Sequence, residues 1–447
     1  MVSLLFNMFF CFVSLFIYIF APEQYSYKYC LFLLIIFLIV FLLNTYINDV
    51  KEGFGFGILF SIAFLFSNFI YPVFYIVDYT YVSSFIFPYN QNVVNKATAV
   101  ALVAYCFYVF GVTQYNQNYT YIHKVRKNFI INSNTIYSII FLLYFSIFLF
   151  VIFGGYNITK ALYSGDLGVS VQKNDTFGYA QILIFIFSML LASIFYYSKN
   201  YFLRKVALIS IVFVAMFMLS TGTRLLAVNL FIMLLAVYSR EVRKITIKTT
   251  LLFCFLGANF LYIIMLIREN QKLVFSSSND TLPGLPFDIF MDLIGTNRNL
   301  YILYDYVDNF GSLFFLNELP TLLSVFPFSG FFIDLLPVEV YKTSGLFPTY
   351  LTFGPNANYG LGTSMVGEAY LSFGLLGVIF VFFAFGWVIK KTKLKSLNSI
   401  YFSVIYFYLV GQSVFYPRID YFWGLKNVFW MLMILLLLNY LFDKKRS

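Results

Sequence analysis

Charge is scarce in this chain. Only 11% of its 447 residues are Asp, Glu, Lys or Arg, against 61% hydrophobic. A soluble domain carries about 25% charged residues, so this chain lacks the polar residues to cover a water-facing surface. Histidine is nearly absent: His123 stands alone, which excludes a multi-histidine metal site. The four cysteines, Cys11, Cys30, Cys106 and Cys254, lie in or beside apolar runs, with no C-x-x-C pair. Neither a disulfide framework nor a zinc site is implied. No aspartate-rich metal motif is present, and no metal or cofactor is expected. Val2 to Phe20 lacks a basic leader and no small-residue cleavage site follows it, so it reads as a retained helix. No internal repeat is evident, whereas many transporters carry inverted repeats. The abundant Phe (60) and Tyr (38) fit an AT-rich gene and carry little functional meaning.

What is present is a series of apolar runs. A helix needs about 20 apolar residues to cross roughly 30 Å of hydrocarbon. Twelve segments qualify: 2–20, 30–47, 54–77, 97–113, 134–154, 178–197, 206–221, 225–239, 249–267, 363–389, 396–415 and 428–442. The seventh and eighth are short and are parted only by Gly222-Thr223-Arg224. The expected fold is therefore an all-α polytopic integral membrane protein of about 12 transmembrane helices. It divides into 1–267 (helices 1–9), a large periplasmic loop at 268–362, and 363–447 (helices 10–12). Within the loop, Asp288 to Asn309 has a loosely helical spacing. Phe314 to Leu336 is apolar but broken by prolines, and Thr343 to Gly362 suggests an irregular loop or a lid.

Twelve crossings put 18 of the 29 Lys and Arg residues on one side, with only four of the 19 acids. Among them are Lys124, Arg126, Lys127, Lys199, Arg204, Lys205, Arg240, Arg243, Lys390, Lys391 and Lys444. The positive-inside rule sets that side, and both termini, in the cytoplasm. The net charge of +10 is thus a topology signal, and nucleic acid is not an expected partner.

The outer face has four arginines: Arg224, Arg268, Arg298 and Arg418. The plain reading of each is a snorkelling or loop-solvated cation. Arg224 fits it poorly, because an unpaired cation is disfavoured in a two-residue outer turn. Asp420 stands two residues from Arg418 and is placed to pair with it. Arginine's planar fork also suits a phosphate, and several converging at the outer boundary would hold a lipid diphosphate. Glu368 lies near the outer end of an apolar helix, where a carboxylate is costly unless paired or functional. Gly367, Ala369, Gly374 and Gly377 around it would permit close helix packing.

Gly222-Thr223-Arg224 opens a helix. Gly367-Glu368-x-Tyr370-x-x-Phe373-Gly374 follows a long outer loop, and Arg418-x-Asp420 precedes the last span. In these motifs, and in architecture over nearly its whole length, the chain resembles the Wzy-type O-antigen polymerases of oligosaccharide repeat units. The resemblance implies a GT-C-like enzyme of the bacterial inner membrane. It would move a growing glycan from undecaprenyl diphosphate onto the next undecaprenyl-diphosphate-linked repeat unit, without a metal. On it, Arg224 and Arg418 are the expected catalytic arginines, and Glu368 orients or deprotonates the acceptor or holds an arginine. Arg268, Arg298, Tyr370, Asp420 and Tyr416 are expected at the diphosphate or the sugar. Asp288, Asp292 and Glu318 are reserve carboxylates, and Tyr350, Asn356, Asn358 and Tyr359 are candidate sugar contacts. A separate chain-length regulator is an implied partner. The alternatives are an O-antigen ligase, which resembles this architecture but uses a loop histidine that this chain lacks, and a lipid-linked oligosaccharide flippase, for which charges along the spans would be expected.

Overall fold

A computed structural model describes residues 2–45, 53–76, 89–114, 129–164, 175–259, 290–326, 329–334, 344–354 and 361–443. Among them the chain is helical, with one isolated bridge between Ile131 and Ser198 and no named strand. The helices are α1 (Val2–Ile19), α2 (Tyr27–Asn44), α3 (Phe56–Leu65), α4 (Val94–Thr113), α5 (Ser133–Ile152), α6 (Gly155–Ser164) and α7 (Asp175–Ile194). There follow α8 (Tyr201–Ser220), α9 (Arg224–Glu241), α10 (Ile247–Asn259), α11 (Asn297–Phe310), α12 (Met365–Lys395), α13 (Ile400–Gln412) and α14 (Leu425–Asp443). Each of the twelve apolar segments contains a helix, although 396–415 holds only the 13-residue α13. Among the described residues eight helices are long and apolar enough to cross a membrane, so the chain is a multi-pass membrane protein.

Two boundaries differ from expectation. The seventh and eighth segments are not short: α8 has 20 residues and α9 has 18. Asn200 caps α8 through Phe202 and Leu203, which draws Arg204 and Lys205 out of the loop and into the helix. Likewise Lys390, Lys391, Lys393 and Lys395 lie in the last turns of α12. Long cationic side chains tolerate a helix end because their stems pack while their heads reach water.

The chain forms two compact units. The first comprises Met1–His123, Leu282–Lys391 and Ser413–Lys426. In it, α1 and α2 pack on α4. The small residues Ala97, Ala99, Ala101 and Ala104 are completely buried there. At Gly111 a Cβ would strike the Phe383 carbonyl, and at Gly386 the Tyr108 carbonyl, so α4 and α12 meet backbone to backbone. Beside Glu368 itself the packing is also close: a Cβ on Gly367 would lie 2.7 Å from Leu303. Between α3 and Tyr71–Phe74 the chain winds a π-helical turn, Phe66–Ile70. Aromatic rings fill the interior: Phe37 lies 4.4 Å from Tyr105 and Phe60 lies 4.8 Å from Tyr108.

The segment between the ninth and tenth apolar runs contributes α11, which packs on the short helix Phe347–Phe353. Leu303 of α11, Phe347 and Leu371 of α12 share one apolar cluster. Of the helical spacing read in Asp288 to Asn309, residues 288–289 lie outside the described residues, Met291–Ile294 is a short helix, and the remainder lies in α11, seated on α12. Helix α12 breaks at Phe373 (φ −148°, ψ 29°) and Gly374 (φ 60°, ψ −146°). The break frees the Leu371 carbonyl, which accepts from the Leu313 amide at 2.8 Å.

The second unit comprises Lys124–Thr281, Thr392–Gln412 and Asn427–Ser447. Helices α5, α7, α9 and α13 pack in sequence, with α8 against α9. Gly222, at φ 93°, makes the turn from α8 to α9. At the other end of α9, Arg240 donates to Ser396 Oγ at 2.8 Å and to the Ser396 carbonyl at 2.6 Å, and it lies over the Phe407 ring.

Candidate functional site

Three carboxyl side chains of the first unit gather where three chain segments meet. Glu318 ends the single turn Leu316–Glu318, Glu368 lies in the first turn of α12, and Asp420 follows the turn Tyr416–Arg418. All three side chains are buried, Glu368 completely. Placing carboxylates in a dry site is costly unless donors meet them, and donors do. Asn317 Nδ2 donates to Glu368 Oε2 at 2.7 Å, and Thr363 Oγ1 makes a short bond to Glu368 Oε1. Ser372, one turn along α12, lies 3.1 Å from Asn317 Oδ1 and 2.8 Å from the Tyr421 hydroxyl. The Phe422 amide donates to Asp420 Oδ1 at 3.0 Å, and Thr321 reaches Oδ2 at 3.5 Å.

Glu318 is the least satisfied of the three. Its Oε1 receives a long bond from Asn317 and its Oε2 has no partner. Burial first, then the nearby Asp420 and Glu368, push its carboxyl up to about 11. Burial and the like-charged neighbours thus both favour the protonated form of Glu318. Burial, then Glu318, likewise holds the Tyr421 phenol above its ordinary range.

Three consecutive residues tie this centre to two of the expected arginines. Asn299, next to Arg298, donates to the Leu361 carbonyl at 3.0 Å. A Cβ on Gly362 would lie 3.7 Å from the Arg418 carbonyl. Thr363 holds Glu368. Arg298 is buried and donates its Nε to the Gly295 carbonyl at 2.9 Å, while Arg418 is half-buried. The segments bearing Arg298, Arg418, Asp420 and Glu368 thus converge. Arg224 begins α9, half-buried, in the second unit. Arg268, Asp288, Asn356, Asn358 and Tyr359 lie outside the described residues. Asp292 sits in the short helix Met291–Ile294, and Tyr350 is exposed on Phe347–Phe353.

The aromatic candidates separate. Tyr370 stacks on Tyr304 with centroids 4.7 Å apart, and both hydroxyls approach that of Tyr18, at 3.5 and 3.2 Å. Tyr416 is buried between Phe56 and Phe385. Sequence reasoning missed Asn317, Thr363, Ser372 and Tyr421 and kept Glu318 only in reserve. Ser372 had a signal, since it stands one helical turn after Glu368. Asn317 had none, because 51 positions separate it from its partner. Among the described residues no group of three or more His, Cys, Asp or Glu is arranged to hold a metal ion.

Helices of this length and apolarity, closing over a buried carboxyl centre flanked by arginine-bearing segments, define a polytopic membrane protein with a polar site at one end of its helices. The chain belongs to the O-antigen polysaccharide polymerase Wzy family, whose profile matches residues 3–445. Members of this family are glycosyltransferase-type polymerases that act on lipid-linked oligosaccharides in a membrane. No curated protein and no solved structure matches the chain.

Proposed function

We propose that this protein polymerises undecaprenyl-diphosphate-linked repeat units at the periplasmic face of the inner membrane, with both termini in the cytoplasm, by en bloc transfer of the growing chain. A hydroxyl of the incoming repeat unit attacks the anomeric carbon of the growing glycan. The bond from that carbon to the diphosphate breaks, and undecaprenyl diphosphate leaves with the electron pair. Departure requires positive charge where negative charge develops. Arg418 and Arg298 supply it in this reading. Arg224 is assigned to the same task on the Gly222-Thr223-Arg224 motif alone, and Arg268 on its place in the sequence.

The observation that supports the reading is that the segments bearing Glu368, Arg298 and Arg418 meet through residues 361–363, in a chain of the polymerase family. Glu368 takes the proton of the attacking hydroxyl. Asn317 and Thr363 fix its orientation, and a carboxylate with two bonds accepted still has lone-pair sites. Glu318 is less suited to that role, because burial and the neighbouring carboxyls favour its protonated form. The complete burial of Glu368 favours a second reading, in which it is a positioning residue that holds Thr363 and Asn317 in place. The two separate in kinetics: a base variant loses kcat at unchanged KM, and a positioning variant raises KM and lowers the melting temperature together.

The experiment is a gel of surface glycolipid from a strain lacking the gene, with and without the gene restored. Single-repeat caps that become a ladder on restoration support a polymerase. Repeat units left on the lipid, with no capped core, would point to a flippase or a ligase. A chain-length regulator, if it acts on this protein, would shift the ladder's modal length and leave its existence unchanged.

A further inference from the structure

A second polar region of the first unit is built in the opposite way. The π-helical turn Phe66–Ile70 carries Ser67 and Asn68, and the start of α11 carries Asn297 and Asn299. The two segments pack against each other. All four side chains are at least 98% buried. Ser67 Oγ, Asn68 Oδ1, Asn299 Oδ1 and both amide atoms of Asn297 have no hydrogen-bond partner. Leaving a buried polar atom unsatisfied is costly, and this packing incurs that cost repeatedly within two short segments. A π turn inside an α-helix is itself uncommon and is frequent at functional sites.

We infer that Ser67, Asn68 and Asn297 form a subsite for a sugar ring of the lipid-linked repeat unit. The inference rests on the proposed polymerase reading and adds to it where the glycan is gripped. The chemistry of the donor set selects the ligand. Carboxamides and a hydroxyl both donate and accept, as sugar hydroxyls do, and none of the three is charged, so a phosphate or a cation gains little from them. Aromatic faces stand alongside: Tyr301 lies 5.3 Å from Tyr89 and 6.4 Å from Tyr71, centroid to centroid. Rings of this kind cover the apolar face of a sugar while polar groups read its edge. Asn299 anchors Leu361, in the segment that leads to Glu368, so this subsite shares its framework with the carboxyl centre.

The test uses the full-length protein in lipid nanodiscs with two probes. One is the undecaprenyl-diphosphate-linked repeat unit isolated from the deletion strain, and the other is undecaprenyl diphosphate alone. Asn68→Leu and Asn297→Leu should each weaken repeat-unit binding about tenfold or more and leave undecaprenyl diphosphate binding within about twofold. Unchanged repeat-unit binding would overturn the subsite and mean that the polar atoms hold only buried water. Equal loss of both probes would overturn it too, as general damage. Should the leucine variants not fold, Ser67→Ala with Asn297→Ser carries the same test, with about threefold selective loss expected and no loss contradicting it. A wild-type protein that binds the repeat unit selectively yet makes no polymer would refute the polymerase reading and leave the subsite standing.

Discussion

Two polar regions lie in the first unit, and they differ in how their polar atoms are met. Around Glu368 both carboxylate oxygens, the Asn317 amide, Ser372 and Tyr421 bond one another across three chain segments. Around Asn297 the side chains are equally buried, yet Ser67 Oγ, Asn68 Oδ1, Asn299 Oδ1 and both Asn297 amide atoms have no partner. The closed network holds its members in one geometry without help. The open one has unused hydrogen-bonding capacity in the free protein. The difference separates groups that position chemistry from groups that await a ligand, and single substitutions can break either side of it.

The largest effect is expected at Glu368. Glu368→Gln keeps the shape and removes the proton acceptor, so the polymerisation rate should fall about 100-fold or more in an assay with labelled lipid-linked repeat units. Full activity would reduce Glu368 to a structural partner. Arg418→Lys comes next. A lysine keeps the charge but loses the two-pronged fork, and a loss of about 10- to 100-fold is expected. An active lysine variant would show that charge alone suffices. Arg224→Ala should abolish polymer with protein level and topology intact, and normal-length polymer would remove Arg224 from the mechanism.

The Glu318 carboxyl gives a pH dependence of stability. Its folded value of about 11 lies above the ordinary 4.5, so the folded state binds the extra proton between those values. Stability is therefore fully present below about pH 4.5 and declines as pH rises towards 11, by at most about 1.4 kcal/mol per pH unit. Melting temperatures in detergent from pH 5 to 9 should fall, and Glu318→Gln should flatten the slope. An identical slope in the variant would mean that Glu318 is not the titrating group. The smallest effect is at the break in α12. Gly374→Ala meets no neighbour, so its cost is backbone strain of about 1–3 kcal/mol, read as a lower melting temperature. An unchanged melting temperature would show that the break does not need glycine.

The membrane class and the helices are legible in the sequence because an apolar run of 20 residues rarely occurs outside a membrane span. Glu368 is legible for a related reason: a carboxylate in an apolar helix stands out. Its partners are not, since Asn317 and Thr363 are ordinary loop residues until the chain folds. Gly374 reads as a packing residue, yet it supplies a positive φ at a break, and the close helix contact falls to Gly111 and Gly386. Ser67 and Asn68 are two polar residues in a long apolar run, and neither marks a π turn in the sequence. The start of α8 lies ahead of its apolar run because charge is a poor boundary marker where a cationic stem can pack; Asn200, a good N-cap, is the better signal.

The most direct measurement is a reaction with purified protein in nanodiscs and lipid-linked single repeat units, following glycan length and released undecaprenyl diphosphate together. A ladder is expected from the wild-type protein, with one undecaprenyl diphosphate released per linkage formed, and neither product from Glu368→Gln. A ladder of equal extent from the variant would contradict the role given to Glu368. No ladder from an intact, repeat-unit-binding wild type would contradict the polymerase reading itself.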